Sequence, residues 1–558
     1  MKKAYIFLIA LVMILALTSC DLLFVGYLDD YNESLEYTCA DRGGHNFTVQ
    51  EEPISCDSVR VNEVCSFCSE TRTYTKSVAA NHSYLGGVCT QCGEYLPDTS
   101  GLEFTLDGDA YVVSGIGSAK DQSIRIPALY NGLPVVGIAD SAFKSTSFIR
   151  HVEIPEGVTS IGESAFYMCK SLETVDIPDT VSKIGEDAFT SCTSLKSIDL
   201  PESLTAIAEN TFYKCDKLSS MTIPESVTSI GMLAFAYCSS LESIAIPDGV
   251  TTINYGTFAD CYALTSVSIP KSVIEIDKSA FSFSSSLASI FVDSENEHYR
   301  TIDGDLYTID GKTIVRYASA KTEENLIIPE GVEKIGGFAF SGANNILTVT
   351  IPASAAEVEN GAFASCKSLT KITVASGNPV YTTYDGDLYK DNGKTFVQYA
   401  CGKDGGYITV LPWVETIAPY AYYDADKITG VAITNGVRVI GDSAFYGCNG
   451  IIAVAMADSV NTIESSAFYG CSALKDILLG KGIKEVEDFA FYGFKNHLRV
   501  FYAGNKLEWA LVDTGPLSFG IFYSDYTVIY YSETEPAFTL YGEYYWHYDE
   551  DGKMVIWQ

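Results

Sequence analysis

Basic residues are scarce in this chain: 36 Lys and Arg stand against 71 Asp and Glu in 558 residues, a formal net charge of −35. An acidic field of that strength argues against nucleic acid and anionic lipid as partners, since both are held by Lys and Arg. Histidine is rarer still. Of six, two fall in a cysteine-dense segment, and His151, His298, His497 and His547 have no local nucleophile or metal-ligand partner. Phosphate-loop, nucleophile-elbow and HExxH patterns are missing, so the sequence indicates no enzyme. Long apolar runs are missing as well. The run Ile6 to Leu17 falls short of the ~20 residues that cross a bilayer.

What the chain has in abundance is phenylalanine at a fixed interval. Phe143, Phe166, Phe189, Phe212, Phe235, Phe258 and Phe281 follow one another at a constant spacing of 23, each preceded by Ala or Thr. One interval shows the script: Leu172, Val175 and Ile177 before Pro178, then Val181, Ile184, Gly185, Ala188, Phe189 and Cys192. A period of this length means stacked coils. The first apolar group predicts a short strand that Pro178 ends, because proline has no N–H for the ladder. Gly185 eases a bend, and Ala188–Phe189 is expected to form one short helical turn with the ring pointing inward.

The register then jumps by 59 to Phe340, runs 23 to Phe363, jumps 59 to Tyr422 and resumes at 23 through Phe445, Phe468 and Phe491. Two equal jumps predict a duplicated insert of 36 residues (59 − 23), and both copies carry Asp-Gly-Asp-Leu-Tyr, at 303–307 and 385–389. With Asp310-Gly311 and Asn392-Gly393 following, each insert reads as a β-hairpin that widens a coil without breaking the stack. The Asp-Gly-Asp pairs are read as turn chemistry in preference to calcium ligands.

On these residues the chain resembles the Treponema-type leucine-rich repeat of BspA-like bacterial surface lipoproteins, over about 124–496. The resemblance implies a surface protein used for adhesion, with extracellular-matrix or host-cell proteins as partners. The pattern loosens where Thr434, Ala457 and Gly480 replace the expected Pro, which predicts irregular edges there.

The fold class expected is therefore a β-rich α/β solenoid: a leucine-rich repeat stack of 23-residue coils with two hairpin inserts, a Cys-rich module before it and β caps at its ends. The organisation expected is a lipoprotein signal (1–19), a lipidated Cys20 with a flexible spacer (20–38), a Cys-rich zinc-ribbon-like module (39–97) and an N-terminal cap hairpin (98–123). The solenoid follows (124–496, inserts near 291–327 and 374–410), then an aromatic C-terminal cap (497–558). Leu17-Thr18-Ser19-Cys20 resembles a lipobox, which places a lipid attachment on Cys20 and ties the exported chain to the bacterial cell envelope.

In the Cys-rich module, Cys65, Cys68, Cys89 and Cys92 form two CxxC knuckles, the pattern of a structural four-thiolate zinc site. Two or three disulfides are the alternative in an exported protein. The cysteines recurring at 23 from Cys169 to Cys261, and again at Cys448 and Cys471, read as buried fillers of a repeated slot and not as a metal or redox ladder. Outward strand positions such as Thr174, Ser197 and Ser220 are small, so that face predicts little binding energy. Tyr423, Tyr446, Tyr469 and Tyr492, one after each register aromatic in consecutive coils, form a candidate partner-binding strip for protein or glycan, with packing between turns as the alternative. Glycan capture by that strip and the aromatic tail, and an envelope scaffold without soluble ligand, are the other functional readings.

Overall fold

The computed structural model describes residues 98–519, 526–536 and 544–557, together with five strands within the first 97. The chain divides into two compact units, 1–97 and 98–558. In the first, Phe47–Ser55, Ser58–Cys65 and Thr71–Ser77 form an antiparallel sheet, and Tyr84–Leu85 pairs with Val88–Cys89.

The second unit is a solenoid, and its coil follows from the repeated script. Val175 is buried while Thr174 is half-exposed and Asp176 exposed, as the two-residue period of a strand requires. Thr174–Asp176 pairs in parallel with His151–Glu153, residue for residue at an offset of 23. After Pro178, whose carbonyl accepts the Val181 N–H at 3.1 Å, Lys183–Ile184 joins a second parallel sheet through Ser160–Ile161. Gly185 then passes so close to the previous coil that a Cβ there would lie 2.6 Å from the Glu163 nitrogen.

The third side is not helical. Ala188, Thr190 and Cys192 donate their N–H groups to carbonyls three residues back, whereas Phe189 and Ser191 between them donate to Thr211 and Tyr213 of the next coil. This alternation needs left-handed backbone at Asp187 (φ 56°) and Ser191 (φ 60°), which a helix cannot supply, and it makes a third ladder joining the coils. Among the described residues the helices are Lys506–Trp509 and a single 3₁₀ turn, Asp391–Gly393. The α component expected from sequence is thus replaced by turns.

Inside, the register rings stack. Centroids from Phe143 to Phe281 are 5.1 to 5.7 Å apart and nearly parallel. Beside them each slot cysteine donates its thiol to the carbonyl of the previous register aromatic, as Cys192 Sγ does to Phe166 O at 3.2 Å and Cys238 Sγ to Phe212 O at 3.2 Å. Burial pushes the Cys238 thiol up to about 12, so it stays a protonated donor. Ser284 fills the same slot and makes the same bond, at 2.9 Å. The filler reading of this cysteine column is the one the geometry supports.

The inserts differ from expectation in length and form. Tyr317 and Tyr399 are in register: Tyr317 lies 5.0 Å from Phe340 and Tyr399 5.1 Å from Tyr422, each partner standing one period further on. Each jump of 59 is therefore a coil of 36 (317 − 281; 399 − 363) followed by one of 23, and the insertion itself has a length of 13 (36 − 23). It forms a three-stranded antiparallel meander, not a hairpin: Tyr299–Ile302, Asp305–Thr308 and Thr313–Arg316 in the first, Tyr381–Tyr384, Asp387–Lys390 and Thr395–Gln398 in the second. The third strand of each joins the parallel sheet of the next coil.

The middle strand of each meander is buried on both faces and interrupts the stack. Leu306 packs into the core that starts at Leu102, and Tyr307 into the next; Leu388 and Tyr389 divide the second core from the third in the same way. Asp305 and Asp387 receive the backbone N–H of Ala318 and Ala400 and pair with Lys321 (2.7 Å) and Lys403 (2.8 Å), and Lys403 also pairs with Asp385 at 3.2 Å.

The coils with Thr434, Ala457 and Gly480, expected to have irregular edges, keep a continuous sheet, with one register shift where Gly406 and Tyr407 meet Ile428–Ile433. Ile428–Ile433, Ala453–Met456 and Asp476–Leu479 lie in one sheet of eight strands. Without proline the Ala457 N–H is free to bond Ile433 O at 2.9 Å and lengthen the ladder. At the N-terminal end Glu103–Asp107 pairs with Ala110–Gly115, which pairs in parallel with Leu133–Ile138. At the C-terminal end Tyr544–Tyr548 and Met554–Ile556 form an antiparallel pair, and Trp546 is buried with Phe501 and Ile529, its indole N–H donating to Tyr502 O at 3.0 Å.

Candidate functional site

The four strip tyrosines follow their register aromatics on the turn side, where the main chain leaves each half-buried. Their rings stack: Tyr423 to Tyr446 at 4.8 Å, Tyr446 to Tyr469 at 5.0 Å and Tyr469 to Tyr492 at 5.4 Å. Stacking in that manner spends the ring faces on one another. What remains for a partner is ring edges and hydroxyls, so a sugar has no free face to lie on.

The strip does not end at Tyr423. Phe283, from a coil far earlier in the chain, stacks on it at 5.2 Å, and Phe338 meets Tyr420 edge-on at 5.0 Å. Two features let these rings reach across. The intervening coils carry small residues, Ser341, Gly342 and Ala364 in one row and Gly361 in the other, where an added Cβ would lie 2.8 Å from the Phe338 ring. The enlarged coils are also cut short on this side. Two residues of the usual turn are missing before Tyr317 and Tyr399, and the Phe283 N–H bonds directly to Ser341 Oγ at 3.0 Å.

A coil that is wide at its meander and thin at its turn is a wedge. Two wedges bend the stack toward the turn side, and the arms on either side come to face each other. Tyr213, Tyr237 and Asp260 of the first arm lie within electrostatic reach of Tyr423, Tyr446 and Asp424 of the last. Burial first, then Tyr469, Asp424, Asp260 and Tyr213, push the Tyr446 hydroxyl up to about 12. Burial also raises Asp260, which accepts the Tyr262 hydroxyl at 2.7 Å, and Asp424, which accepts Ser365 Oγ at 2.8 Å. Tyr255 and Tyr262 are half-exposed at the rim. The result is a concave face of tyrosines and carboxylates, suited to hydrogen bonding and to positive charge.

The missing turn is filled from inside. Arg316 is buried and donates to Phe338 O (2.7 Å), Ser341 Oγ (2.7 Å), Ser341 O (3.0 Å) and Ser319 Oγ (2.9 Å). Burial draws its guanidinium down to about 10. In the second wedge Gln398 has the equivalent place, donating to Tyr399 O and Ala421 O.

Other sequence candidates fall elsewhere. Cys20, Cys68 and Cys92 lie outside the described residues; Cys65 and Cys89 end the backbone strands Ser58–Cys65 and Val88–Cys89, and their side chains lie outside them too. Among the described residues no three His, Cys, Asp or Glu side chains gather to hold a metal, and no helix is long and apolar enough to cross a membrane. In the aromatic tail Phe519 extends the register column, 5.2 Å from Phe491, while Phe522 and Tyr523 lie outside the described residues. Phe283, Phe338 and Tyr420 escaped sequence reasoning, although each is an aromatic out of register, Phe283 and Phe338 beside runs of Gly, Ala and Ser and Tyr420 between Pro419 and Ala421.

The family model for the BspA type leucine-rich repeat region matches residues 136–261, 205–304, 312–385 and 408–508. The chain belongs to this family. Among solved structures this BspA-type chain is similar to a leucine-rich cell surface protein of Faecalibacterium prausnitzii, at 26% identity over 74% of this chain and 96% of that one, with a TM-score of 0.46. It is also similar to a leucine-rich repeat protein of T. pallidum (29%, 32% and 86%, TM-score 0.30) and to one of Bacteroides ovatus (23%, 78% and 99%, TM-score 0.36). No curated protein matches it. The BspA-type match includes all four strip tyrosines and leaves out 305–311 and 386–407, where the middle strands of the two meanders lie.

Proposed function

We propose that this chain is exported, tethered by lipid on Cys20, and displays its solenoid on the cell surface as an adhesion protein that binds host-matrix proteins or proteins of other cells. Membership of the BspA-type family is the observation that carries the reading. The concave face supports it: tyrosines are the side chains that most often anchor protein contacts, and Asp260 and Asp424 among them favour basic segments of a partner. The partner-contacting residues assigned are Tyr446 and Tyr469 first, with Tyr423 and Tyr492 flanking. In the 39–97 segment, Cys65, Cys68, Cys89 and Cys92 hold a structural zinc; thiol titration with and without a chelator tests this, and finding neither metal nor free thiols sinks it.

The experiment for the main reading passes the lipid-free mature protein over immobilised matrix proteins and cell-surface extracts. Saturable binding to a protein component is expected, weakened at least about ten-fold when Tyr446 and Tyr469 are both changed to Ser, with circular dichroism showing that the variant is still folded. Absence of any bound protein, or a double variant that binds like the parent, overturns the assignment. The Cys20→Ser variant is expected to leave the membrane fraction.

A further inference from the structure

Trp413 stands where the fold needs something else. Nine residues before the register aromatic, eleven ordinary coils carry Gly, Ser or Thr, and this coil alone carries Trp. The small residues have a structural task there: Ser203 Oγ donates to Val181 O at 2.6 Å, Ser226 Oγ to Leu204 O at 2.7 Å and Ser459 Oγ to Val437 O at 2.8 Å. Trp413 abandons that bond and leaves its indole 46% exposed.

It is not alone. Tyr384, at the end of a meander strand and 42% exposed, meets it at 5.6 Å and 61°. Gly393, in left-handed backbone (φ 91°), lets both rings close in; a Cβ there would lie 3.2 Å from Trp413 Nε1 and 3.4 Å from Tyr384 Cε2. The first meander serves as an internal control. It has the same three strands and the same left-handed glycine, Gly311, yet the positions of Tyr384 and Trp413 hold Ile302 and Gly331. The meander therefore folds without the aromatic pair.

We propose that Trp413 and Tyr384 form a stacking platform for a neutral hexopyranose unit of a glycan chain. Unlike the strip tyrosines, these rings keep aromatic surface in solvent. They make an open corner with a polar rim, where Lys394 and Glu415 pair at 2.8 Å and Asp391 accepts Thr395 Oγ1 at 2.8 Å. A pyranose has the matching form, with C–H groups on a face and hydroxyls around the edge. A ledge of two rings is far smaller than the ~1,600 Å² of a stable protein interface. The net charge of −35 repels acidic polysaccharides and leaves the neutral ones.

The test is affinity electrophoresis of the mature, lipid-free chain through gels containing laminarin, mannan, galactomannan or starch, with pectin as the acidic comparison. Retardation by at least one neutral polysaccharide is expected, about ten-fold weaker in Trp413→Ser and largely kept in Trp413→Phe. Trp413→Ser restores what other coils carry, so its melting temperature should equal the parent's; if it fails to fold, Tyr384→Ser takes its place and should also weaken retardation. No retardation by any neutral polysaccharide, retardation by pectin alone, or a Ser variant that binds like the parent overturns the proposal. Tyr446 and Tyr469 are untouched in these variants, so a protein partner and a polysaccharide are read separately.

Discussion

Changing Cys238 to Ala and to Ser separates what the thiol column does from what it resembles. Cys238 is fully buried, and its Sγ donates to Phe212 O, which also accepts the Cys215 N–H at 3.1 Å. Ala deletes one buried heavy atom, about 1 kcal/mol, and one weak hydrogen bond, about 0.5–1 kcal/mol, without orphaning the carbonyl. Cys238→Ala should therefore lose about 1.5–2 kcal/mol in all. Cys238→Ser keeps a donor in a slot where Ser284 already bonds Phe258 O at 2.9 Å, so its loss should stay within about 1 kcal/mol. Urea unfolding of the mature protein reads both as shifts in midpoint at constant slope. Ellman's reagent on the folded chain should find none of the nine buried thiols between Cys169 and Cys471. A Ser variant less stable than the Ala variant, or reaction of any of these nine thiols within seconds in the folded chain, located by peptide mapping, would refute the argument that the column is a set of protonated donors.

The other predictions concern the wedges. Arg316→Ala removes four donated bonds and leaves a void, and should cost about 3–5 kcal/mol, whereas Arg316→Gln copies Gln398 and should cost roughly half as much in the same urea assay. Gly361→Val puts a branched side chain at φ 74° against the Phe338 ring, which should lower stability by at least about 2 kcal/mol and remove the Phe338–Tyr420 contact, read as a change in small-angle scattering. Burial raises Asp387 from 3.8 to about 6 despite Lys403 and the Ala400 N–H. Its contribution is thus fully present below pH 4 and is lost as pH rises through 6, about 3 kcal/mol in all. Asp387→Asn keeps an acceptor for Ala400 and should erase that pH dependence; a parent and variant whose stabilities run parallel from pH 4 to 7 would contradict it.

The repeat was legible because its signal is covalent: a ring returning once per period needs no knowledge of tertiary structure. Tyr317 and Tyr399 were not seen in register because Arg316 and Gln398, not Ala or Thr, precede them and their turns are two residues short. Tyr299–Ile302 is a strand of four residues whose Tyr, Thr and Ile suit one, but its pairing with Asp305–Thr308 makes the insert a meander where the Asp310-Gly311 turn alone reads as a hairpin. The turn ladder reads as a helix from sequence because its left-handed positions carry Asp187 and Ser191 in one coil and glycine only in others, such as Gly256 and Gly447, so no single residue type marks them. Likewise the strip tyrosines could be read from spacing, but their meeting with Phe283 depends on how much two wedges bend the stack, which local pattern does not encode. Trp413 stood in plain view, and only the hydrogen bonds of its counterparts show what it gives up.

The meander strands with Leu306 and Tyr307, and with Leu388 and Tyr389, act as bulkheads. In a linear array, cooperativity travels only as far as side chains interlock, so flooding one compartment with water need not sink its neighbours. A chain pulled between a tether at one end and a captured partner at the other should yield in three instalments, each lengthening the molecule while the remaining compartments keep their grip.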